Sequence, residues 1–294
     1  MMNQRKSSPF DSVLIDLHMH SRISDGSDSP EEILARVKEA GIGIFSLTDH
    51  DAVEGCRIIR SLLSPSEKDP LFIPGVEFSC KDSEGKYHIL GYGYDPESEP
   101  INKVVDMGHE YRMNKVRGRL DMLRQEFGFD FPSDEIDELL ALPNPGKPHI
   151  GNLMVKYGYA ESKEQAIREY IDKAHFKGQY VKPEEAIEGI LGSGGIPVLA
   201  HPFYGSGDQL ILGQEMEERL VKLKGYGLRG VEAFYSGFTD KLRNQMIEFA
   251  DKYDLYITAG SDYHGTNKWI DLGDNGLGEG PKPERMVRFL ELMV

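Results

Sequence analysis

The sequence is short of cysteine and of positive charge. Two cysteines, Cys56 and Cys80, occur among 294 residues, which excludes the disulfide-rich scaffolds of small secreted proteins. These thiols could pair, but in a cytoplasmic enzyme we expect them to be free and buried. Basic residues number 34 against 49 acidic ones, giving a formal net charge of −15. Because sequence-independent binding of long nucleic acid needs a basic surface, this class of function is disfavoured.

Long apolar runs are also missing. No stretch approaches the roughly 18 apolar residues of a membrane-spanning helix, and residues 1–9 precede no apolar segment typical of a signal peptide. We therefore expect a cytoplasmic protein without membrane contacts. The sequence lacks a phosphate-binding loop ending in Gly-Lys-Ser/Thr, a G-x-G-x-x-G turn after a strand and a G-x-S-x-G elbow. A small anionic substrate is compatible with the negative charge, because bound metal ions supply local positive charge.

Strand and helix signals alternate along most of the chain. A buried strand is predicted over 13–17, and a helix begins at Ser29, where a serine cap, a proline and Glu32 form a capping-box pattern. About seven βα units imply a parallel sheet and fit a barrel better than an open sheet.

One long segment breaks this alternation. Four successive helices are predicted there, over 103–126, 133–142, 150–157 and 163–174. We interpret 101–182 as an all-helical insertion domain. The predicted fold class is therefore α/β, with 12–100 and 183–294 forming one discontinuous barrel domain.

Histidines and carboxylates lie where the predicted strands end. In His18-Met19-His20 the two imidazoles share one face, because strand side chains alternate with a period of two. Asp262 and His264 repeat this spacing. The carboxyl ends of parallel strands meet at one rim of a barrel, where active sites form. Nine metal-competent residues follow the pattern: His18, His20, Asp25, His50, Glu77, His88, His201, Asp262 and His264.

Taken singly, each motif has an ordinary structural explanation. A lone His-x-His pair is a weak signal, and Asp25-Gly26 alone is a turn. The joint pattern decides, because six of the nine histidines fall at these positions while His109, His149 and His175 lie in the helical segment. Nine ligands exceed the three or four of a single catalytic zinc and are enough for two or three ions. Imidazole with carboxylate suits Mn, Fe or Zn better than Mg or Ca.

Five motifs occur in a fixed order along the chain. They are His18-Met19-His20-Ser21 to Ser24-Asp25-Gly26, Thr48-Asp49-His50-Asp51, Gly75-Val76-Glu77, Ala200-His201-Pro202 and Ser261-Asp262-Tyr263-His264. Together they resemble the polymerase and histidinol phosphatase (PHP) family over about 13–94 and 183–265. The resemblance implies a distorted seven-stranded (β/α) barrel with two or three metals. By this resemblance, one ion would be bound by His18, His20, Glu77 and Asp262. A second ion would be bound by Glu77, as a bridging ligand, together with His88 and His201. A third ion would be bound by Asp25, His50 and His264.

The helical insertion resembles that of bacterial PHP phosphoesterases acting on nucleoside phosphates or on the 5′ end of short RNA. We therefore expect hydrolysis of nucleoside mono- or bisphosphates, or of the 5′ end of short RNA, by a metal-activated hydroxide. The leaving alcohol needs a proton, for which the candidates are Asp49, Asp51 and His149. A second phosphate could be bound by Arg112, Lys115, Lys147 and His149, although basic helical residues more often face solvent.

Three alternatives stay open at this stage. A histidinol-phosphate-type phosphatase is less expected, because that branch should lack such an insertion. An amidohydrolase also opens with His-x-His, but two-metal members often use a carboxylated lysine as the bridge, where this sequence offers Glu77. A non-catalytic PHP module would need an attached polymerase or another partner, and here the ligand set is complete. The partner we expect is a small phosphorylated substrate, either a nucleotide or short RNA.

Overall fold

The computed structural model describes residues 7–63, 69–142, 144–173, 178–205 and 209–294. Residues 1–6, at the start examined for a signal peptide, and 174–175, at the predicted end of the last inserted helix, lie outside these ranges. The described strands are β1 (Leu14–Asp16), β2 (Ile42–Phe45), β3 (Leu71–Phe72), β4 (Gly75–Lys81), β5 (Lys86–Tyr92), β6 (Ile196–Leu199), β7 (Gly230–Tyr235) and β8 (Tyr256–Gly260).

The helices largely follow the sequence prediction. They are α1 (Pro30–Glu39), α2 (Glu54–Leu62), α3 (Glu99–Phe127), α4 (Ser133–Leu140), α5 (Lys147–Lys156), α6 (Lys163–Glu169), α7 (Pro183–Gly192), α8 (Gly213–Tyr226), α9 (Asp240–Tyr253) and α10 (Glu284–Glu291). The capping box of α1 is confirmed, since Ser29 Oγ accepts from Glu32 N at 3.3 Å and the Glu32 carboxylate accepts from Ser29 N at 2.7 Å.

The strands form two sheets. In the first, β1, β2 and β3 are parallel and lie in that order. In the second, β6, β7 and β8 are parallel, whereas β5 is antiparallel to both β4 and β6. The expectation of a parallel sheet is therefore wrong at β4 and β5. Between these two strands Asp82 N donates to Gly85 O in a tight turn, and so short a connection cannot hold a crossover helix.

Single bridges connect the two sheets. Met19 pairs with Tyr263 beyond the ends of β1 and β8, and His50 pairs with Glu77 of β4. Thr48 N also donates to Met19 O, so the segments after β8, β1 and β2 lie side by side next to β4. The described sheets are not closed. The chain therefore has a mixed α/β fold, and the expected seven-stranded barrel is not confirmed.

The helical segment between β5 and α7 contains an apolar core of its own. Val116, Leu123, Ile150, Met154 and other buried side chains up to Ile171 form a cluster separate from the main core. α3 takes part in both cores, because the buried apolar residues of its first turns belong to the main core. This second core supports an insertion domain, although the boundary at 101–182 stays a prediction.

Two further expectations concern membranes and thiols. In the described ranges, none of the helices is both long enough and apolar enough to cross a membrane. Cys56 and Cys80 are buried and free, as predicted.

Candidate metal centre

The His18-Met19-His20 segment follows β1 and brings its two imidazoles together. His18 Nε2 and His20 Nε2 are 3.2 Å apart, and both side chains are fully buried. Met19 packs instead in an apolar cluster with Ile33 and Phe45. The alternation predicted for this segment is therefore confirmed.

Glu77 of β4 lies between two sets of histidines. Its Oε1 is 2.8 Å from His88 Nδ1 and 3.2 Å from His201 Nε2. Its Oε2 is 3.3, 3.2 and 3.1 Å from nitrogen atoms of His18, His20 and His50 respectively. The two oxygens of one carboxylate thus face different donor sets, which is the geometry of a ligand that two ions can share.

Metal-competent atoms gather in three overlapping groups, each with its atoms within 4.8 Å of one another. The groups are His20, Asp25, His50 and His264; His18, His20 and Asp262; and His50, Glu77 and His88. The ninth expected residue, His201, contacts Glu77. All nine residues are therefore brought together. Two of these residues also contact a set other than the one expected for them. His20, expected in the first set, also lies close to the third, and His50, expected in the third set, also lies close to the second.

Five of the six distances among the four residues of the first expected set match those of a tetrahedral ion site. The His18 and His20 Nε2 atoms lie 3.2 Å apart, and each is 3.2–3.5 Å from Glu77 Oε2 and from Asp262 Oδ1. A tetrahedron around an ion with bonds of about 2.0–2.1 Å has edges of roughly 3.3–3.4 Å. Imidazole and carboxylate donors at this spacing fit a divalent transition metal.

Burial and neighbouring charges shift the pKa values of this cluster strongly. Burial raises the pKa of Glu77, but the histidines that face its two oxygens outweigh this effect and lower that pKa well below its usual value. Burial lowers the pKa of His20, yet Asp262 and Glu77 raise it to about 9. At His50 burial dominates and lowers the pKa to about 3. Buried carboxylates here need positive partners, and divalent ions would supply that charge.

Backbone strain is concentrated at the same place. Asp51, His201 and Asp262 have φ values of 51°, 28° and 59°, in the left-handed region that non-glycine residues rarely adopt. Each such residue costs about 1–3 kcal/mol and persists where the surrounding structure holds it. This strain is typical of functional sites.

Glu232 of β7 is a site residue that the sequence analysis does not identify. It is fully buried, its Oε1 lies 2.9 Å from His18 Nδ1, and its Oε2 accepts from His201 N at 2.7 Å. A hydrogen bond at Nδ1 leaves Nε2 of His18 as the nitrogen that faces the cluster. Gly260 permits this approach, because a Cβ there would lie 2.1 Å from His18 Cβ. The available signal was a lone charge within the apolar strand Gly230–Tyr235.

Asp262 is held by two further residues absent from the sequence prediction. Its Oδ2 accepts from Lys268 Nζ at 2.6 Å and from Tyr235 Oη at 3.0 Å. Its Oδ1 is therefore the oxygen that faces His18 and His20. No periodic pattern connects Lys268, which lies in a loop, with this carboxylate.

Two cavities open onto the cluster and share Asp25, His50, His88 and Pro148 in their walls. The first, of about 410 Å³, lies between the cluster and the inserted helices, and the second has a volume of about 490 Å³. All four residues predicted to bind a second phosphate line the first cavity: Arg112, Lys115, Lys147 and His149. Lys86 and Arg119 add to its positive charge.

The cations of the first cavity are held in different ways. Arg112 is ion-paired with Asp51, and Lys147 with Asp172. Lys115 Nζ lies 3.8 Å from the centre of the Tyr180 ring. Burial and the nearby Arg112 lower the pKa of Lys115 to about 8. The cavity wall thus presents several cations that an anionic group could neutralise.

The three candidates for protonating the leaving group occupy unlike positions. Asp49 is buried and accepts three hydrogen bonds of 2.6–2.7 Å from Ser21 and Ser24. Asp49 is not among the described residues that line either cavity. Its position therefore indicates a structural role and does not support a role as proton donor. Asp51 is likewise turned towards Arg112. Only His149 of the three lines a cavity.

Comparison with known proteins places this geometry in context. The sequence model of the PHP domain matches residues 16–184. A 5′-3′ exoribonuclease from Haemophilus influenzae is 28% identical over 263 residues, covering 88% of this chain and 93% of that protein. A 3′,5′-nucleoside bisphosphate phosphatase from Chromobacterium violaceum is 28% identical over 260 residues, covering 85% and 87%. A solved structure from Bifidobacterium adolescentis, named as a candidate metal-dependent phosphoesterase, is similar in fold, with 24% identity, coverage of 95% and 96%, and a TM-score of 0.78.

Proposed function

Because the chain belongs to the PHP domain family and is a metal-dependent phosphoesterase, we propose that it hydrolyses nucleoside mono- or bisphosphates or the 5′ end of short RNA. The observation that carries this proposal is the first cavity, whose cationic wall meets the candidate metal centre at Asp25, His50 and His88. An ester bound at the centre has a site for a second phosphate beside it. The two relatives named above act, by their names, on substrates of this kind.

The nine clustered residues are proposed to hold two or three divalent ions of Mn, Fe or Zn. Their geometry supports the sets His18, His20, Glu77 and Asp262; Glu77, His88 and His201; and Asp25, His50 and His264. Ions bound there would polarise the phosphate and bring the pKa of a water molecule close to neutrality. Glu232 and Lys268 orient the protein ligands by hydrogen bonds to His18 and Asp262.

Arg112 and Lys115 are proposed to bind the second phosphate. Both line the first cavity from α3, one helical turn apart, and Asp51 holds the Arg112 guanidinium in place. A charge-assisted contact of this kind contributes about 1.5–3 kcal/mol. Lys147 and His149 act from the start of α5 on the same cavity.

His149 is proposed to donate a hydrogen bond to phosphate. Its Nδ1 accepts from Gly146 N at 3.1 Å, which leaves the proton of the neutral ring on Nε2. Burial lowers the pKa of His149, so the neutral ring is favoured near neutral pH. A neutral imidazole is better suited to binding than to protonating a leaving alcohol.

The geometry of the site also argues against two of the alternative functions. In an amidohydrolase with a carboxylated lysine bridge, a lysine would take the central position, and here Glu77 contacts five histidines instead. A non-catalytic module has no need of a cationic cavity that opens onto a complete donor set. The division into one discontinuous domain, 12–100 and 183–294, and an inserted helical domain, 101–182, stays part of the proposal.

A substrate panel tests this proposal. Metal-replete protein should hydrolyse nucleoside mono- and bisphosphates or short 5′-phosphorylated RNAs faster than histidinol phosphate. Arg112→Ala should lower kcat/KM roughly tenfold to a hundredfold on a bisphosphate while sparing a minimal aryl phosphate. Arg168→Ala, on the exposed side of α6, is the matched control. Preference for histidinol phosphate would overturn the substrate class, and equal losses on both esters would move Arg112 into the chemistry.

A further inference from the structure

The second cavity differs from the first in its lining. Beside the residues of the metal centre, its walls contain Lys163, Tyr204, Tyr235, Asn267 and Lys268. Its volume of about 490 Å³ is sufficient for a nucleoside. Because the two cavities share Asp25, His50 and His88, a substrate with its phosphate at the centre can extend into both.

The two cavities differ in how far their cations are neutralised by neighbouring carboxylates. In the first, Lys86, Lys115 and Arg119 have no carboxylate of the described residues within 4.0 Å. In the second, Lys268 is paired with Asp262 at 2.6 Å and Lys163 with Glu164 at 3.9 Å. The first cavity therefore suits a terminal phosphate with two negative charges. The second suits a group with little charge of its own.

Two tyrosines give the second cavity a fixed aromatic wall. The rings of Tyr204 and Tyr235 lie 5.8 Å apart, at an angle of 64°. The Tyr204 hydroxyl donates to Gly237 O at 2.7 Å, and the Tyr235 hydroxyl donates to Asp262 at 3.0 Å. Both rings are thus held in place without a ligand. Rings of this kind stack on nucleobases with little dependence on sequence.

We propose that the second cavity is a subsite for the nucleoside on the 3′ side of the scissile phosphate, with Tyr204 stacking on its base, and that this contact determines how well the protein uses short RNA relative to a bisphosphate. This inference rests on the proposed function. The terminal phosphate occupies the first cavity, the scissile phosphate lies at the metal centre, and the next base stacks against Tyr204.

Cleavage then releases one nucleotide. A water oxygen forms a bond to phosphorus, and the bond from phosphorus to the 3′ oxygen breaks. The water loses one proton and the 3′ oxygen gains one. The products are a nucleoside 5′-monophosphate and a chain one nucleotide shorter, with a new 5′ phosphate. A 3′,5′-bisphosphate is cleaved at the same bond from phosphorus to the 3′ oxygen and releases inorganic phosphate, so it places nothing in the second cavity.

Two substrates and two variants test the assignment. Metal-replete full-length protein is assayed on adenosine 3′,5′-bisphosphate and on the 5′-phosphorylated dinucleotide pApA. Tyr204→Leu should lower kcat/KM roughly tenfold on pApA and leave the bisphosphate within about twofold, because stacking is lost for one substrate only. Tyr204→Phe keeps the ring and should retain both activities. Bisphosphate turnover by the leucine variant also shows that it is folded.

The outcomes separate this inference from the proposed function. Equal losses on both substrates, or no loss on pApA, would overturn the second cavity as a nucleoside site. Wild-type protein that cleaves the bisphosphate and not pApA would overturn it as well, while the phosphoesterase proposal survives. Failure on both substrates, together with every other nucleotide tested, would instead overturn the proposed function.

Discussion

Replacing Glu77 by glutamine changes one atom at the point where the donor sets meet. In the native carboxylate, Oε1 faces His88 and His201, and Oε2 faces His18, His20 and His50. An amide keeps one oxygen and puts an NH₂ group in place of the other, and an NH₂ group is not a metal ligand. In either orientation one donor set loses the ligand that it shares with the other.

The size of the effect follows from the burial of Glu77. Its side chain is 1% exposed, so solvent cannot replace the lost charge. An ion that loses this ligand would no longer supply its contribution of several kcal/mol to stabilising the charge of the transition state. Since each ~1.4 kcal/mol is a factor of ten, kcat/KM should fall by at least roughly a hundredfold. The protein should also lose at least one equivalent of metal.

Steady-state kinetics on a nucleoside bisphosphate, with elemental analysis of the same samples, measure both effects. Glu217→Gln makes the same chemical change on α8, where Glu217 contacts Lys252 and Tyr253 and lines neither cavity. This control should match the wild type, and the melting temperature checks that both variants fold. If Glu77→Gln retained its metal and kept turnover within about tenfold, Glu77 would not be a bridging ligand.

Three further predictions follow from individual residues. Protein prepared with Mn, Fe or Zn supplied should contain two or three equivalents by elemental analysis, and one ion or none would contradict a multinuclear centre. Since burial lowers the pKa of Lys115 to about 8, its positive charge is lost as pH rises through that value. KM for a bisphosphate should therefore increase over this pH range, and Lys115→Arg should abolish the increase. Glu232→Gln keeps an acceptor for His18 but loses the charge, so the metal Kd from chelator competition should rise roughly tenfold to a hundredfold. An unchanged Kd would rule out a positioning role for Glu232.

The sequence was most informative where a local rule fixes geometry. The period-two rule placed His18 and His20 on one face, and the capping box located the start of α1. Strand direction was not accessible in this way. The apolar pattern of β4 and β5 is the same for parallel and antiparallel neighbours, so the antiparallel pairing was missed.

Long-range polar contacts were equally hidden. Glu232 and His18 are 214 positions apart, and their hydrogen bond depends on the close approach permitted by Gly260. Lys268 holds Asp262 from a loop without periodicity. A histidine motif predicts ligands because their spacing is local, whereas the residues that orient them come from whichever neighbouring strand or loop is near.

Asp51 connects the candidate metal centre with the inserted helices. The sequence motif Thr48-Asp49-His50-Asp51 made it a candidate proton donor, but its carboxylate is ion-paired with Arg112 of α3 and accepts from Ser79 N at 3.0 Å. Burial raises the pKa of Asp51, and the charge of Arg112 outweighs this and lowers it. A carboxyl group held in its charged form is a poor acid. We therefore expect Asp51 to act by positioning Arg112.

A double-mutant cycle distinguishes these two roles. If Asp51 positions Arg112, Asp51→Asn should raise KM for a bisphosphate roughly tenfold, a change of ~1.4 kcal/mol, with kcat and turnover of a minimal aryl phosphate nearly unchanged. Arg112→Ala introduced into Asp51→Asn should then add little, because the two residues in contact act as one unit. Additive losses would show that the residues act independently. A fall in kcat on the aryl phosphate would return Asp51 to the catalytic step.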